Sequence, residues 1–210
     1  VARPLPWLKP AVFAGALLPL AAIASRAVEH RLGANPIAEA LNRLGLLALV
    51  FLVLTLAVTP LKTLFGWTWP ARLRRMLGLF AFFYATLHFL TYAGLDQLVN
   101  LRTILDDIAK RPFILVGFSA WVLLVPLAVT STKGMLQRLG FKRWKALHRS
   151  VYAIAGLGAL HFYWRVKKDT SVPLAYAGVI GVLLFVRVLA ALRNRPFLRA
   201  LARSSEIEHE

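Results

Sequence analysis

Five histidines and no cysteine set the chemical repertoire of this 210-residue chain. His88, His148 and His161 stand within or at the end of long apolar stretches, whereas His30 and His209 fall in a polar connection and in the tail and suggest no role. An ionisable group inside an apolar segment is costly to keep there and usually functional. A neutral imidazole offers one lone pair to a metal and one N–H to an acceptor. The lack of cysteine excludes disulfide frameworks, dithiol relays, thiolate metal sites and cysteine-held iron–sulfur clusters. There is no Ser–His–Asp arrangement and no phosphate-cradling glycine loop. Gly156 and Gly158 lie in an apolar run without the strand and turn of a nucleotide fingerprint, so they read as packing glycines.

The elements that must position these histidines are membrane helices. Hydrophobic residues make up 59% of the chain and charged residues only 17%, against about 25% charged in an ordinary soluble domain. A helix needs about 20 mostly apolar residues to cross a bilayer. Six stretches approach that, near 10–28, 44–61, 76–95, 113–130, 148–166 and 173–191, and none has an Asp or Glu in its interior. The first is expected to stay in place rather than be cleaved as a signal peptide, because Arg26, Glu29, His30 and Arg31 follow it without a small-residue cleavage pattern. The expectation is an all-α integral membrane protein, a single six-transmembrane-helix bundle over 1–210 that ends in a short cytoplasmic tail at 192–210.

Charge placement supplies the orientation. With both termini inside, 17 of the 26 basic residues fall on the inner side, among them Arg72, Arg74, Arg75, Lys142, Arg143 and Lys145, and six of the nine acids fall outside. The net charge of +17 therefore reads mostly as a topology signal and not as a nucleic-acid surface. Residues 131–147 form a basic inner loop suited to anionic headgroups. Residues 97–111 place Leu101, Ile104, Leu105 and Ile108 at helical spacing, the pattern of a short amphipathic helix at the outer surface. Trp7, Trp67, Trp69, Trp144 and Trp164 lie near span ends, as an interfacial belt requires, and only Trp121 is central.

Depth then relates the histidines to one another. His88 follows Arg75 by 13 residues and His161 follows Arg149 by 12, on two spans that run in the same direction. Both stand about 18–20 Å along their helices. Two imidazoles at one level can supply both axial ligands of a haem iron, with Ala85 and Gly158 nearly one turn back to admit a flat macrocycle. The plainer alternative is that each hydrogen-bonds across the bundle and packs on small residues. His148 precedes His161 by 13 residues, too far around a straight helix to share its face, so a bend would be needed. It can ligate a second haem with an unusual partner, border a flavin or quinone pocket, or sit at the interface.

At these residues the sequence resembles MsrQ (YedZ), the family of haem-binding membrane subunits of the periplasmic methionine-sulfoxide reductase system, within the ferric-reductase-like transmembrane group. The resemblance lies in Arg72-Leu-Arg-Arg-Met-Leu-Gly-Leu through Ala85-Thr-Leu-His88 and Tyr92, in Arg111-Pro112-Phe113 and in Thr130-Ser-Thr. It continues in Trp144-Lys-Ala-Leu-His148 with Tyr152, in His161-Phe-Tyr-Trp164 and in Leu32-Gly-Ala-Asn-Pro36. The resemblance implies b-type haem with an associated FMN, and His88, His148 and His161 match the family's histidines. It also implies electron delivery from the quinone pool or a cytosolic flavin reductase to MsrP, a periplasmic molybdopterin enzyme that repairs oxidised methionines. The chain lacks a second histidine in its third span, which departs from the larger oxidases of the group. Other readings are a ferric or quinone reductase with another acceptor, and a non-redox transporter or assembly scaffold. Cation transport ordinarily uses intramembrane carboxylates, which the spans lack.

Overall fold

The computed structural model describes residues 6–193; residues 1–5 and 194–210, which include most of the expected cytoplasmic tail, lie outside the described residues. The helices are α1 (Leu8–Val28), α2 (Pro36–Phe65), α3 (Arg74–Leu90), α4 (Leu101–Lys110), α5 (Pro112–Val129), α6 (Lys133–His148), α7 (Val151–Arg165) and α8 (Ser171–Arg193). The chain is an all-helical membrane protein. Among the described residues, five helices are long and apolar enough to cross a bilayer: α1, α2, α3 with its extension to Asp96, α5 and α8.

Local sequence explains the helix ends. Asn35 accepts a hydrogen bond from the Ala38 amide at 3.0 Å and Pro36 occupies the first turn, so α2 starts sharply. It ends at Gly66, whose φ of 70° is the left-handed conformation that only glycine adopts freely. Beyond Leu90, α3 widens into a π-helical turn, Thr91–Asp96, the kind of local distortion that tends to accompany functional sites. Asn100 caps α4 by accepting from the Thr103 amide. This helix matches the amphipathic segment expected at 97–111, with Ile104 buried and Leu101 and Leu105 exposed.

Two elements differ from the sequence reading. The basic stretch at 131–147 is a helix and not a loop: Thr132 caps α6 by accepting from the Met135 amide, and Gly140, at φ 71°, kinks it. The stretch at 148–166 is divided. His148 is the last residue of α6, the chain turns at Arg149–Ser150, and α7 begins at Val151. The physical reason lies in the charges, since Arg138, Lys142, Arg143 and Lys145 hold α6 out of an apolar slab. A helix continuing from α7 would drag them into it. With 15 residues, α7 is about 22 Å long, shorter than the other core helices.

The bundle is built from two antiparallel pairs, α2 with α3 and α5 with α7, joined where α3 meets α5; α8 packs against α7 and α2. We call the end carrying Pro36, Asp96, Pro112 and Arg165 the upper end, and the end carrying Phe65, Arg74, Val129 and Val151 the lower end. Arg187 fastens α8 near the lower end, donating to the Leu56 carbonyl at 2.5 Å and to the Tyr152 hydroxyl at 3.0 Å. Phe51, Phe80 and Tyr84 stack at the α2–α3 seam, with centroids 5.3–5.4 Å apart for the two Phe51 pairs. Tyr84 is fully buried, and its hydroxyl donates to the Ala16 carbonyl at 2.6 Å, tying α1 to the core.

That bond is the main polar tether of α1. Tyr84→Phe should lower stability in detergent by about 0.5–1.5 kcal/mol. Faster amide hydrogen exchange confined largely to α1 is the expected signature; unchanged exchange there would show that apolar contact alone holds the helix.

Candidate functional site

His88 on α3 and His161 on α7 come together across the middle of the bundle, with ring centroids 6.1 Å apart and ring planes at 79°. The equal depth inferred from sequence is therefore a direct juxtaposition. His88 Nδ1 lies 2.9 Å from the Leu41 carbonyl oxygen of α2, and His161 Nδ1 lies 2.7 Å from the Phe113 carbonyl oxygen of α5. A carbonyl oxygen can only accept, so each Nδ1 must carry the proton. Each Nε2 is left with a free lone pair, which is the state a metal-binding imidazole needs.

The same local device appears twice. Each accepting carbonyl already serves the amide four residues on in its own helix. At that position stands a glycine, Gly45 on α2 and Gly117 on α5. A Cβ at Gly45 would lie 3.1 Å from His88 Cε1 and Nδ1, and one at Gly117 would lie 2.6 Å from His161 Nδ1. The missing side chains are what let the imidazoles reach the backbone of the neighbouring helix. Ala85 and Gly158, the small residues expected to admit a flat macrocycle, both line the cavity, and a Cβ at Gly158 would meet only Leu49, at 3.6 Å. The signal for Gly45 and Gly117 was present as a lone glycine among large aliphatic residues in each of α2 and α5.

The two imidazoles line a mostly apolar cavity of about 280 Å³ enclosed by α2, α3, α5 and α7. That is close to the lower end of ordinary ligand pockets, about 300 Å³. The ring spacing suits a shared metal. With metal–nitrogen bonds of about 2 Å, as imidazole makes to metals, two rings bound through Nε2 to one ion have centroids roughly 6 Å apart. At the upper rim Tyr92 donates to Asp107 at 3.0 Å, and Arg111 pairs with the same carboxylate at 3.1 Å.

His148 does not join this pair. It sits at the lower end on α6, its ring stacked on Trp144 at 3.9 Å, with Nδ1 3.1 Å from the Trp144 carbonyl oxygen. Its Nε2 is buried and has no partner. Trp144 donates its indole N–H to the Thr130 carbonyl at 2.9 Å, so this tryptophan does more than sit in an interfacial belt. It holds the plane against which His148 packs. His148 and His161 lie on different helices, separated by the break at Arg149–Ser150.

Comparison with known proteins fits this architecture. Residues 44–159 match the family described as ferric reductase like transmembrane component. The protein-methionine-sulfoxide reductase heme-binding subunit MsrQ of Rhodospirillum rubrum is 55% identical over 190 residues, covering 90% of this chain and 91% of that protein. The subunit of the same name in Herminiimonas arsenicoxydans is 50% identical, covering 95% and 92%. That of Deinococcus radiodurans is 49% identical, covering 92% and 96%. The chain belongs to the MsrQ family, within the ferric-reductase-like transmembrane proteins. No solved structure matches it. The MsrQ resemblance inferred from the histidine motifs thus extends along nearly the whole chain. The ferric-reductase match contains Gly45, His88, Gly117 and His148 and stops two residues before His161.

Overpacking a filled contact costs about 1–3 kcal/mol. Gly117→Ala should therefore lower the thermal midpoint in detergent clearly, while Gly156→Ala, with nothing within 4 Å of the new methyl, should leave it nearly unchanged. Equal midpoints for the two variants would remove the argument that Gly117 makes room for His161.

Proposed function

We propose that the chain holds a b-type haem between His88 and His161 and acts as the haem-binding membrane subunit of a protein-methionine-sulfoxide reductase system. The carrying observation is the pair of imidazoles 6.1 Å apart, each with Nδ1–H held by a carbonyl and Nε2 directed away from it. Bound there, the haem supplies a one-electron relay within the low-dielectric bundle. His88 and His161 fix the iron and, through their hydrogen bonds to Leu41 and Phe113, gain basicity as ligands. Leu49, Leu52, Ala81 and Leu124 line the cavity with apolar surface and exclude water from it.

Orientation follows from the excess of basic residues at the lower end, which sets that end in the cytoplasm and the upper end in the periplasm. Electrons enter from the quinone pool or a cytosolic flavin reductase, with an associated FMN, and leave toward the periplasmic molybdopterin enzyme MsrP for repair of oxidised methionines. Donor, FMN and acceptor rest on the MsrQ resemblance, and the relatives' shared name as subunits of a methionine-sulfoxide reductase supports the acceptor. His148 is assigned a single ligand position to a second haem. Its buried, unpartnered Nε2 supports that role, and among the described residues no other histidine stands at its level.

His88→Ala and His161→Ala should each abolish the same low-spin haem signal while the protein still inserts, and His148→Ala should leave that signal in place. The nearly perpendicular imidazole planes predict a strongly anisotropic ferric low-spin EPR spectrum. Survival of the signal in either of the first two variants would break the pairing. Reduced protein should be reoxidised rapidly by the molybdoenzyme and slowly by ferric chelates; the reverse preference would favour a ferric reductase.

A further inference from the structure

The cavity around His88 and His161 is polarised along the bundle axis. Apart from the two histidines and Trp121, whose indole N–H donates to the Thr86 hydroxyl, its polar lining, Asn42, Tyr92, Asp96, Arg111 and Arg165, comes from the upper ends of the helices. At the lower side the lining is Leu52, Ala81, Leu124 and Ile154, without a polar side chain. A flat ligand held by the two imidazoles has only one way to place carboxylates without burying them against aliphatic carbon.

Arg165 differs from the other charged groups at the rim. It stands four residues after His161 on α7, on the same face one turn higher, and is only partly exposed. The ion pairs among the described residues join Arg31 to Glu29, Arg43 to Glu39, Lys110 to Asp106 and Arg111 to Asp107, so no carboxylate answers Arg165. Asp96 at the same rim is engaged by the Gln97 side-chain amide at 2.8 Å. Arg111 uses Nε for Asp107, which also accepts from Tyr92. A guanidinium at the wall of an apolar cavity, lacking an anionic partner and one turn from a metal-binding imidazole, is suited to a carboxylate carried by the ligand itself.

We propose that Arg165 binds a propionate of the haem held by His88 and His161, so that the carboxylate edge of the macrocycle faces the upper end and its vinyl edge faces the lower end. This rests on the haem reading above and adds to it a direction: the edge nearest the external acceptor is the charged one. Arg165 is then a cofactor-binding residue in addition to the two iron ligands, and the aliphatic wall below them is the seat of the vinyl groups.

The test is haem transfer from the full-length ferric protein in detergent to apomyoglobin, with protohaem or its dimethyl ester loaded into the chain. With protohaem, Arg165→Gln should lose haem roughly tenfold faster than the unsubstituted protein, the loss of one charge-assisted hydrogen bond. Arg165→Lys should stay close to the unsubstituted rate. With the dimethyl ester, whose carboxylates are masked, Arg165→Gln and the unsubstituted protein should lose haem equally fast. Equal rates with protohaem, or the same acceleration with the ester, would overturn the assignment while the low-spin spectrum of the unsubstituted protein upheld the haem reading. A chain that takes up no low-spin haem at all would overturn both.

Discussion

Two hydrogen bonds from imidazole Nδ1 to a backbone carbonyl of the neighbouring helix constrain everything else in this bundle. Each bond needs a helix backbone brought within reach of a histidine ring, which requires a glycine one turn beyond the carbonyl. Each fixes a tautomer, which frees Nε2, and each ties together one of the two helix pairs from which the bundle is made. The α2–α3 pair carries Leu41, Gly45 and His88, and the α5–α7 pair carries Phe113, Gly117 and His161. The two pairs thus present the same device to each other across one cavity. Neither histidine could serve as a well-aligned ligand if its ring were free to rotate.

The membrane sets the remaining boundary conditions. Backbone groups are satisfied largely within helices, and two of the irregular stretches are the π turn after α3 and the break before α7. Both do something specific. The π turn carries Tyr92, whose hydroxyl reaches Asp107 on α4 and closes the upper rim. The break lets α6 leave the apolar slab with its basic residues and places His148 at the lower edge, stacked on Trp144. Arg187 sits near the lower end with Nη1 and Nη2 donating to the Tyr152 hydroxyl and the Leu56 carbonyl and its guanidinium over the Tyr152 ring, while its Nε is buried without a partner.

The sequence made the helical membrane architecture legible because apolar run length and charge placement are dictated by the bilayer and survive any detail of packing. Equal depth of His88 and His161 could be read in the same way, from residue counts against Arg75 and Arg149. The amphipathic α4 was equally visible in the spacing of its aliphatic residues. What stayed hidden depended on contact between helices. Gly45 and Gly117 matter only because of the rings that lean on them, and nothing local to α2 or α5 names those rings. The division of 148–166 was concealed because Val151 to Arg165 continues the apolar run from His148 without a proline or glycine to mark the break. For α6 the basic composition suggested a loop, although Thr132 followed by Met135 already offered a helix cap.

In the proposed function the two imidazoles share one iron. The most direct measurement is a reduced-minus-oxidised absorption spectrum of the full-length protein, gently solubilised from haem-replete cells, with haem quantified per chain. A Soret shift and an α-band of bis-histidine b-type haem, at one or two haems per chain, is the result this account requires. A flat difference spectrum, with less than one haem per chain, would contradict it and return His88 and His161 to the role of polar contacts between helices.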